Sequence, residues 1–507
     1  MRRAAKRGLL DVTVVSSDNY LAIHGLIGEM VTGRLGPASI FNPLRRIFRG
    51  ATVHIADVES IDLDNRSVVT SKPLAGASHE LGYDQLVLAL GCGENLEAYP
   101  GLAEHAFRLK RGEDCLRLRS HIVEMFELAA VETDADERRR LLTFFVAGGG
   151  YSGAELAGEL GDYCRLLTRK DYPSIRREEC RVVLVHSGPT ILPELYGASN
   201  LERPVRSYPR LVEFAMRHAK ELGVEFILNT RVAAATADEV ALSDGRSFAT
   251  RTIVSTVGSR PHSLVTNLPV KHDERGRILV DKFLQVNGRE DVWAGGDCAS
   301  VPHPHGGTCP PVALYACMHG RRLGDNVARR ASSRPPKPYR TDVKLQGVSI
   351  GRRTSVGEMG GLGMRGTIPW LGWRTAIMTI VPTWDRRLRM LADWTLWPMV
   401  GRDIAQVTSP YADDYYVEHN VFQPGDVLLE RRRSSLVHVI VSGTAEVVGR
   451  DSGATTTLGP GDYFSDPWLE REAGDTVCAV SAVETVSMRN DQAGRLQRIL
   501  RSAKALD

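Results

Sequence analysis

A glycine-rich loop in the first half of the chain has a spacing that suits phosphate binding. The apolar run at 142–147 leads into Gly148-Gly149-Gly150-Tyr151-Ser152-Gly153, and a run with the composition of a helix follows. In the pattern G-x-G-x-x-G, Gly148 makes a tight turn, Gly150 lets the backbone approach a pyrophosphate, and Gly153 lets helix and strand pack closely. The unpaired N–H groups at the helix start favour an anion. We therefore expect a strand, a loop and a helix that bind a dinucleotide, with a plain glycine-rich turn as the alternative.

The residue after the next apolar run bears on which dinucleotide is bound. In folds of this kind an acidic residue at the end of the second strand accepts hydrogen bonds from the adenosine ribose. Here that strand is Cys180–Val185, and His186 occupies the position. A neutral imidazole accepts one such bond, whereas a protonated one tolerates a 2′-phosphate. NADH is therefore favoured over NADPH, and both stay open.

A second set of strand ends suggests another cofactor. Val292-Trp293-Ala294-Gly295-Gly296-Asp297 is an apolar strand that ends in two glycines and a carboxylate. Asp297 stands where a carboxylate can bond a ribityl hydroxyl beside a helix N-terminus. Gly91 and Gly258 end two further apolar runs, and glycine there lets the chain pass close to a cofactor. Taken alone, each segment is as often a turn as a site.

Taken together, these segments resemble the type II NADH dehydrogenase family, one of the flavoprotein families with two dinucleotide-binding domains. The resemblance extends over roughly residues 8–408. It rests on these stretches: Asn19-Tyr20, Pro43-Leu44-Arg45-Arg46, Tyr83–Gly91, Gly148–Glu155, Gly295–Ala299 and Pro310-Pro311-Val312-Ala313. It implies that FAD is held without a covalent bond, that hydride comes from NAD(P)H, and that a membrane quinone receives the electrons.

The resemblance also suggests roles for single residues. Glu155 matches an acidic residue near the nicotinamide, although the helix dipole alone also favours a glutamate there. Ala313 counts among the cofactor-binding residues. Leu314 and His319 stand where the family's quinone-side helix carries two glutamines. His319 could bond or protonate a quinone oxygen, and a surface histidine is the other interpretation.

The first residues depart from the family. Members open with a strand, a glycine loop and a helix for the FAD pyrophosphate, whereas Met1–Gly8 resembles only the tail of that helix. Asp11–Val15 then corresponds to the second strand, followed by Ser16 where an acidic ribose ligand is common. A start codon assigned too far downstream explains this better than a lost flavin site, because removing a central strand leaves its neighbours' backbone groups unpaired.

The eight cysteines carry no recognisable redox or metal motif. They are scattered without a C-x-x-C pair, so no metal site is expected and a redox dithiol of that spacing is disfavoured. Disulfide reductases are excluded because Cys92 has no second cysteine nearby, and the coenzyme A type is excluded because Leu21–Gly25, where it needs a cysteine, contains none. Sulfide oxidation, for which Cys298, Cys309 and Cys317 are the candidates, remains a minor alternative to packing thiols.

Length and charge narrow the classes of protein to which the chain can belong. A chain of 507 residues is long enough for three to four domains, and 43% hydrophobic with 25% charged residues is ordinary globular composition. A net charge of +3 gives no case for a nucleic-acid partner. No apolar run reaches the roughly 20 residues of a membrane-spanning helix.

The alternation of β-branched runs and helical patterns at 10–331 predicts the fold class: α/β, with two doubly wound dinucleotide-binding (Rossmann-like) domains. Amphipathic membrane-associating helices and a C-terminal β-roll follow. The predicted boundaries are 1–112 and 263–331 for the two parts of the FAD domain, 113–262 for the NAD(P)H domain, 339–410 for the membrane-associating region, 416–490 for the β-roll, and 491–507 for a final helix.

A stretch rich in tryptophan and arginine supports the membrane prediction. Between Arg365 and Arg402 the charged residues sum to +4, and five of the seven tryptophans gather there among aliphatic residues. A basic face opposite an apolar one is typical of a helix in a bilayer interface. Two core-packing helices are the alternative.

The C-terminal segments resemble the cyclic nucleotide-binding domain family. They include Phe422-Gln-Pro-Gly425-Asp426 and Leu458-Gly-Pro-Gly461-Asp462-Tyr-Phe464. The family's phosphate-binding Gly-Glu is replaced by Ser465-Asp466, its arginine is missing, and Asp475 would repel an anion. We expect a degenerate β-roll that serves packing or dimerisation.

The sequence thus predicts a peripheral membrane flavoprotein on the cytoplasmic side of the cell membrane that oxidises NAD(P)H and reduces a quinone. We expect no nucleic-acid partner, and both a monomer and a homodimer stay open. One alternative is a soluble, cytoplasmic NAD(P)H-dependent reductase of another acceptor. The other is a nucleotide-sensing or scaffold protein without flavin.

Overall fold

The computed structural model describes residues 8–71, 79–94, 96–196, 207–341, 345–405, 417–430, 436–449, 455–465 and 474–489. The chain divides into two compact units, one of residues 1–95, 107–231 and 250–405 and the other of 96–106, 232–249 and 406–507. Asp466 and the predicted helix at 491–507 lie outside the described residues.

The N-terminal part is built from short strands. They are β1 (Thr13–Ser16), β2 (Tyr20–Ala22), β3 (Phe41–Pro43), β4 (Thr52–Ile55), β5 (Val58–Asp62), β6 (Ser67–Thr70), β7 (His79–Gly82), β8 (Leu86–Leu88) and β9 (Cys92–Gly93). Three short helices lie between β2 and β4: α1 (Ile27–Val31), α2 (Pro37–Ile40) and α3 (Leu44–Ile47). The parallel pair β1–β4 forms a sheet of its own, and β5, β6 and β7 form an antiparallel sheet.

The next segment carries the predicted dinucleotide unit. Its helices are α4 (Leu102–His105), α5 (Gly112–Val131), α6 (Ala135–Leu141), α7 (Tyr151–Lys170), α8 (Pro193–Tyr196) and α9 (Pro209–Glu221). Its strands are β10 (Ala106–Phe107), β11 (Thr143–Ala147), β12 (Arg181–Val185), β13 (Val224–Ile227), β14 (Val232–Ala235), β15 (Glu239–Leu242), β16 (Ser247–Ala249) and β17 (Thr252–Ser255). The order β17-β11-β12-β13 is parallel throughout, as the alternation of strands and helices predicts.

This parallel sheet is buried on both faces. All five residues of β11 are buried, and Phe144 and Val146 belong to a core that α5 and α7 complete. Helix α7 is buried along most of its length because it packs on the sheet and on α1. It therefore holds its side chains between two layers.

The second half of the predicted flavin domain follows. It consists of β18 (Arg260–Pro261), α10 (Ser263–Thr266), β19 (Ile278–Leu279), β20 (Val292–Ala294), β21 (Ala299–Ser300) and α11 (Ala313–Ala331). Strand β20 pairs in parallel with β8, and no ladder joins this pair to β1–β4 among the described residues. The pairing brings two distant parts of the chain to one sheet edge.

The predicted membrane-associating region contains a sheet that the sequence analysis missed. Strands β22 (Leu345–Ser349), β23 (Ser355–Met359) and β24 (Leu362–Gly366) are antiparallel. Helices α12 (Thr367–Ile380) and α13 (Trp384–Val400) follow. None of the described helices combines the length and apolar character that a bilayer crossing needs.

The tryptophans of these two helices correct one expectation. Of the five, only Trp384 is exposed, at 70%. The Trp394 ring N–H donates to Glu29, and the guanidinium of Arg374 lies 3.6 Å from the centre of the Trp370 ring. Most of the tryptophans therefore stack on buried charge, and leucine, isoleucine and methionine form the exposed apolar surface.

The described residues of the C-terminal module, from 417 to 489, form strands and turns. Its strands are β25 (Val417–Phe422), β26 (Val427–Glu430), β27 (Leu436–Ser442), β28 (Ala445–Gly449), β29 (Thr455–Leu458), β30 (Tyr463–Phe464), β31 (Gly474–Ala479) and β32 (Val483–Arg489). They form two four-stranded sheets, β25-β32-β27-β30 and β26-β31-β28-β29. The two sheets share one apolar core, which includes Ile440 and Phe464, as expected for a β-roll.

A group of buried charges, which we call the ionic cluster, joins α1, α7, α12 and the residues after α13. Its members are Glu29, Arg34, Glu155, Glu159, Asp162, Arg374 and Arg402. Arg34 lies 3.0 Å from Glu159 and 3.1 Å from Asp162, and Arg402 lies 2.6 Å from Asp162. Glu29 pairs with Arg374. Because a buried charge is costly without a partner, these pairs fix the C-terminal helices against the core.

Two arginines that contact the same carboxylate allow a matched test of this cluster. Arg402 is 1% exposed, whereas Arg165, which lies 3.3 Å from Asp162, is 56% exposed. We expect Arg402→Met to lower the free energy of unfolding by about 3–5 kcal/mol, because Glu159 and Asp162 then share Arg34 as their one buried cation and a buried negative charge is left uncompensated. Arg165→Met should cost at most about 1 kcal/mol, as for exposed pairs. Urea unfolding measures both, and equal losses would contradict the role of the cluster.

Candidate active site

The glycine loop is built as its spacing predicts. Strand β11 ends at Ala147, and α7 begins at Tyr151. Gly148 has φ +111°, and a Cβ on Gly153 would overlap the Gly148 carbonyl oxygen. Larger residues at these two positions would force the loop open. The first turn of α7 therefore presents its N–H groups beside a backbone that a pyrophosphate can approach.

His186 follows β12 and touches the loop. Its Nδ1 accepts a hydrogen bond of 3.2 Å from the Gly149 N–H. Burial lowers the pKa of His186. The imidazole is therefore neutral at physiological pH, with Nδ1 already engaged by the loop.

A small pocket of about 100 Å³ opens beside the start of α7. Ser152 and Glu155 line it from the helix, and Ser255, Thr256 and Gly258 line it from the end of β17. The structure thus brings together Glu155 and Gly258, two predicted site residues that are 103 positions apart. The other walls come from His24, Ile27, Gly28, Glu94, Leu109, Lys110 and Leu156.

Glu155 has an unusual environment in this pocket. The residue is 8% exposed, and its Oε1 has no hydrogen-bond partner among the described residues. Burial raises the pKa of Glu155 well above its usual range, and the neighbouring Glu29 and Glu159 raise it further. Arg374 and Arg34 oppose this shift only in part. The raised pKa favours the protonated form of Glu155, which can donate a hydrogen bond into the pocket.

The predicted flavin residues meet at the edge formed by β8 and β20. Gly91 and Gly296 have φ +68° and +77°, and both follow these paired strands. The Cys92 thiol donates to the carbonyl oxygen of Asp297, 3.2 Å away. Burial raises the pKa of Asp297, whereas Lys110 lowers it. The carboxyl group and the close backbone suit the polar chain of a flavin, and the flavin-binding role of Asp297 stays a prediction.

Two residues that the sequence analysis missed link this edge to the pocket. Lys110 donates to the carbonyl oxygen of Cys92 at 2.8 Å, and His24 Nε2 lies 3.0 Å from the carbonyl oxygen of Lys110. Both side chains line the Glu155 pocket. Neither belongs to a local motif, and only the fold brings them together.

His319 is buried beside the flavin edge. It is 2% exposed, so the surface histidine is wrong. Its Nδ1 accepts from the Gly296 N–H at 3.2 Å, and burial lowers its pKa to about 4. It does not line the Glu155 pocket. We therefore propose that His319 holds the turn at Gly296, which directly precedes Asp297. Ala313 begins α11 nearby in the chain, with Val312 as its N-cap.

The thiols of Cys92 and Cys298, at the flavin edge, show no activation for redox chemistry. Burial raises the pKa of Cys92 to about 11 and also raises that of Cys298. All eight cysteines are free thiols, and Cys309 is buried whereas Cys317 is exposed. A protonated thiol is a poor nucleophile, so packing is the better interpretation. Among the described residues, His, Cys, Asp and Glu form no group that could hold a metal ion.

Comparison with known proteins agrees with this geometry. Residues 1–320 match the pyridine nucleotide-disulphide oxidoreductase family. The chain belongs to that family. Its members are FAD-dependent oxidoreductases, and FAD and NAD(P)H are their typical cofactors.

Curated relatives cover most of the chain. A probable NADH dehydrogenase of Dictyostelium discoideum is 27% identical over 401 residues, which are 78% of this chain and 86% of the relative. A type II NADH:quinone oxidoreductase of Mycobacterium tuberculosis is 28% identical over 424 residues, with 80% and 85% covered. The match to members of this family therefore extends beyond the dinucleotide-binding domains.

The fold is also found among solved structures. NDH2 from Plasmodium falciparum, solved in complex with NADH, superposes with a TM-score of 0.69 at 14% identity. The match covers 78% of this chain and 94% of that one. This likeness confirms the mixed α/β, Rossmann-like architecture.

Two helical glycines provide a test of the loop. A Cβ at Gly153 overlaps the Gly148 carbonyl oxygen, whereas one at Gly320, in α11, meets nothing within 4 Å. We expect Gly153→Ala to weaken NADH binding at least about tenfold, or about 1.4 kcal/mol, because the loop must open. Gly320→Ala should keep the affinity and favour its helix by up to about 1 kcal/mol. Calorimetric titration with NADH measures both, and unchanged affinity in Gly153→Ala would contradict the placement.

The neutral state of Glu155 has a consequence for stability. A carboxyl group whose pKa is raised in the folded state stabilises the fold fully below its unfolded pKa, near 4.5, and this stabilisation is lost as pH rises through the folded pKa. Glu155→Gln should abolish this pH-dependent loss of stability, because a glutamine side chain does not ionise. Its free energy of unfolding should exceed that of the unaltered chain by an amount that grows by about 1.4 kcal/mol per pH unit between the two pKa values.

Urea unfolding across that pH range measures the difference, with Glu213→Gln on α9 as the exposed control. The control should show no such growth. A difference for Glu155→Gln that stays flat with pH would mean that Glu155 is ionised in the folded protein.

Proposed function

We propose that this chain is an FAD-dependent dehydrogenase that takes hydride from NADH and passes the electrons to a quinone. The observation that carries the proposal is the pocket in which the neutral, unpartnered carboxyl group of Glu155 lies between the glycine loop and the Lys110 side of the flavin edge. The names of the relatives support it, because those proteins are NADH dehydrogenases and NADH:quinone oxidoreductases.

Different residues would bind the nicotinamide nucleotide and the flavin. The N–H groups at the start of α7 would hold the nicotinamide nucleotide's pyrophosphate, with Gly148 and Gly153 keeping the loop tight. Asp297 and the first turn of α11 would hold the flavin. The two-electron chemistry in this family is that of FAD.

Glu155 would orient the nicotinamide. A neutral acid donates a hydrogen bond to a carboxamide oxygen, and a carboxylate there would repel it. The apolar wall formed by Ile27, Leu109 and Leu156 excludes water around this contact. Glu155 can exchange a proton with a group in the pocket, because its Oε1 has no other hydrogen-bond partner among the described residues.

His186 favours NADH as the donor. Its pKa is lowered by burial, and a neutral ring offers no positive charge to a 2′-phosphate. It can still interact with a ribose hydroxyl through Nε2, since only Nδ1 is bonded to the loop.

The acceptor is proposed to be reached at a membrane surface. Helices α12 and α13 expose Ile368, Leu371, Leu388, Leu396 and Met399, each more than half exposed. A helix pair with such an apolar face suits the bilayer interface, where a quinone dissolves. We infer a peripheral position on the cytoplasmic side of the cell membrane.

Turnover with defined acceptors tests the proposal. The chain loaded with FAD should oxidise NADH when a water-soluble quinone is present, and NADPH at a lower kcat/KM. Stoichiometric quinol should form for each NADH consumed. Oxidation of NADH with other acceptors but not with quinone would favour a soluble reductase of another acceptor, and nucleotide binding without oxidation would favour a sensor.

A further inference from the structure

A basic depression lies where α3 meets the start of α13. It has a volume of about 220 Å³ and is lined by Arg46, Arg49, Pro382, Thr383, Trp384, Asp385 and Arg387. Three arginines against one aspartate give this lining a net charge of +2. Neither the glycine loop nor the flavin edge contributes to it.

The three arginines differ in how they are held. Arg387 donates to the carbonyl oxygens of Val381 and Thr379, at 2.7 and 3.3 Å, so its position is fixed. Arg46 pairs with Asp385 at 2.7 Å, which neutralises the carboxylate in the lining. Arg49 is exposed and has no ion-pair partner within the part of the chain that the structure describes. The depression therefore offers uncompensated positive charge to an incoming anion.

The surroundings indicate what kind of anion would fit the depression. Trp384 lines the depression and is 70% exposed. Leu388 and Leu391 follow at helical spacing on the same face of α13, 55% and 45% exposed. A cationic depression at the end of an exposed apolar stripe complements a molecule that carries an anionic head on an apolar tail.

We propose that this depression binds the phosphate group of an anionic phospholipid, with the apolar stripe of α13 in the acyl region. Arginine suits phosphate because its planar guanidinium donates parallel hydrogen bonds to two oxygens. The proposal rests on the membrane position given under the proposed function and adds the headgroup chemistry that fixes it.

Vesicle binding by the FAD-loaded chain tests the site. Vesicles of phosphatidylcholine alone are compared with vesicles in which phosphatidylglycerol replaces one lipid in three. We expect the unaltered chain to bind the anionic vesicles at least about tenfold more tightly. Arg49→Gln should bind the two kinds of vesicle equally, whereas Arg389→Gln, an exposed arginine of α13 outside the lining, should keep a clear preference for the anionic vesicles, because the loss of one charge near an anionic surface costs no more than about fivefold.

Free inorganic phosphate serves as the competitor that separates the two sources of the anion. Chloride is adjusted so that the ionic strength stays constant. Phosphate should then displace the chain from the vesicles only weakly. Strong displacement would mean that the depression binds soluble phosphate, which overturns the lipid assignment. Equal losses in the two arginine variants would overturn the site in favour of general surface charge.

The test stays separate from that of the enzyme. NADH oxidation by the unaltered chain with a water-soluble quinone needs no vesicles and reports on the proposed function alone. An active chain that ignores anionic lipid would overturn the headgroup site, and an inactive chain that binds it as expected would overturn the dehydrogenase.

Discussion

Four carboxyl groups are buried around α7, and three buried arginines face them. The carboxyl groups belong to Glu29, Glu155, Glu159 and Asp162, and the arginines are Arg34, Arg374 and Arg402. Charges buried away from water must be paired or neutralised. The count balances when one carboxyl group is protonated, and the burial of Glu155 beside two other glutamates selects it. The raised pKa of Glu155 is thus a consequence of this buried cluster as well as a feature of the pocket.

This constraint connects distant parts of the chain. Glu29 on α1 binds Arg374 on α12 and the Trp394 ring of α13, so the C-terminal helices depend on the same carboxylates that surround Glu155. Gly28, next to Glu29, lets α1 approach α7, since a Cβ there would already lie 3.4 Å from the Cγ atoms of Glu155 and Glu159. The helices that expose the apolar face and the pocket proposed for the nicotinamide therefore share one electrostatic support.

The local backbone features of the site can be predicted from the sequence, whereas its long-range side-chain contacts cannot. The glycine spacing at 148–153 predicts the strand, loop and helix because each glycine answers a local backbone requirement. Asp297 and Gly91 are recognisable because they end apolar strands that a parallel sheet must align. The ionic cluster is not predictable in this way, since Glu29 and Arg374 are 345 positions apart and pair only in the fold. The glycine-rich strands β22–β24 lack a clear alternation, and the tryptophans are directed inward by buried arginines that composition does not reveal.

Transfer of hydride in the Glu155 pocket is the central claim, and anaerobic mixing of the FAD-loaded chain with NADH tests it most directly. The flavin absorbance should bleach in a single phase, and deuterium at the transferred C4 position of NADH should slow that phase several-fold. Without quinone, the flavin should then stay reduced, and it should be reoxidised when quinone is added. A flavin that stays oxidised in the presence of saturating NADH would contradict the account.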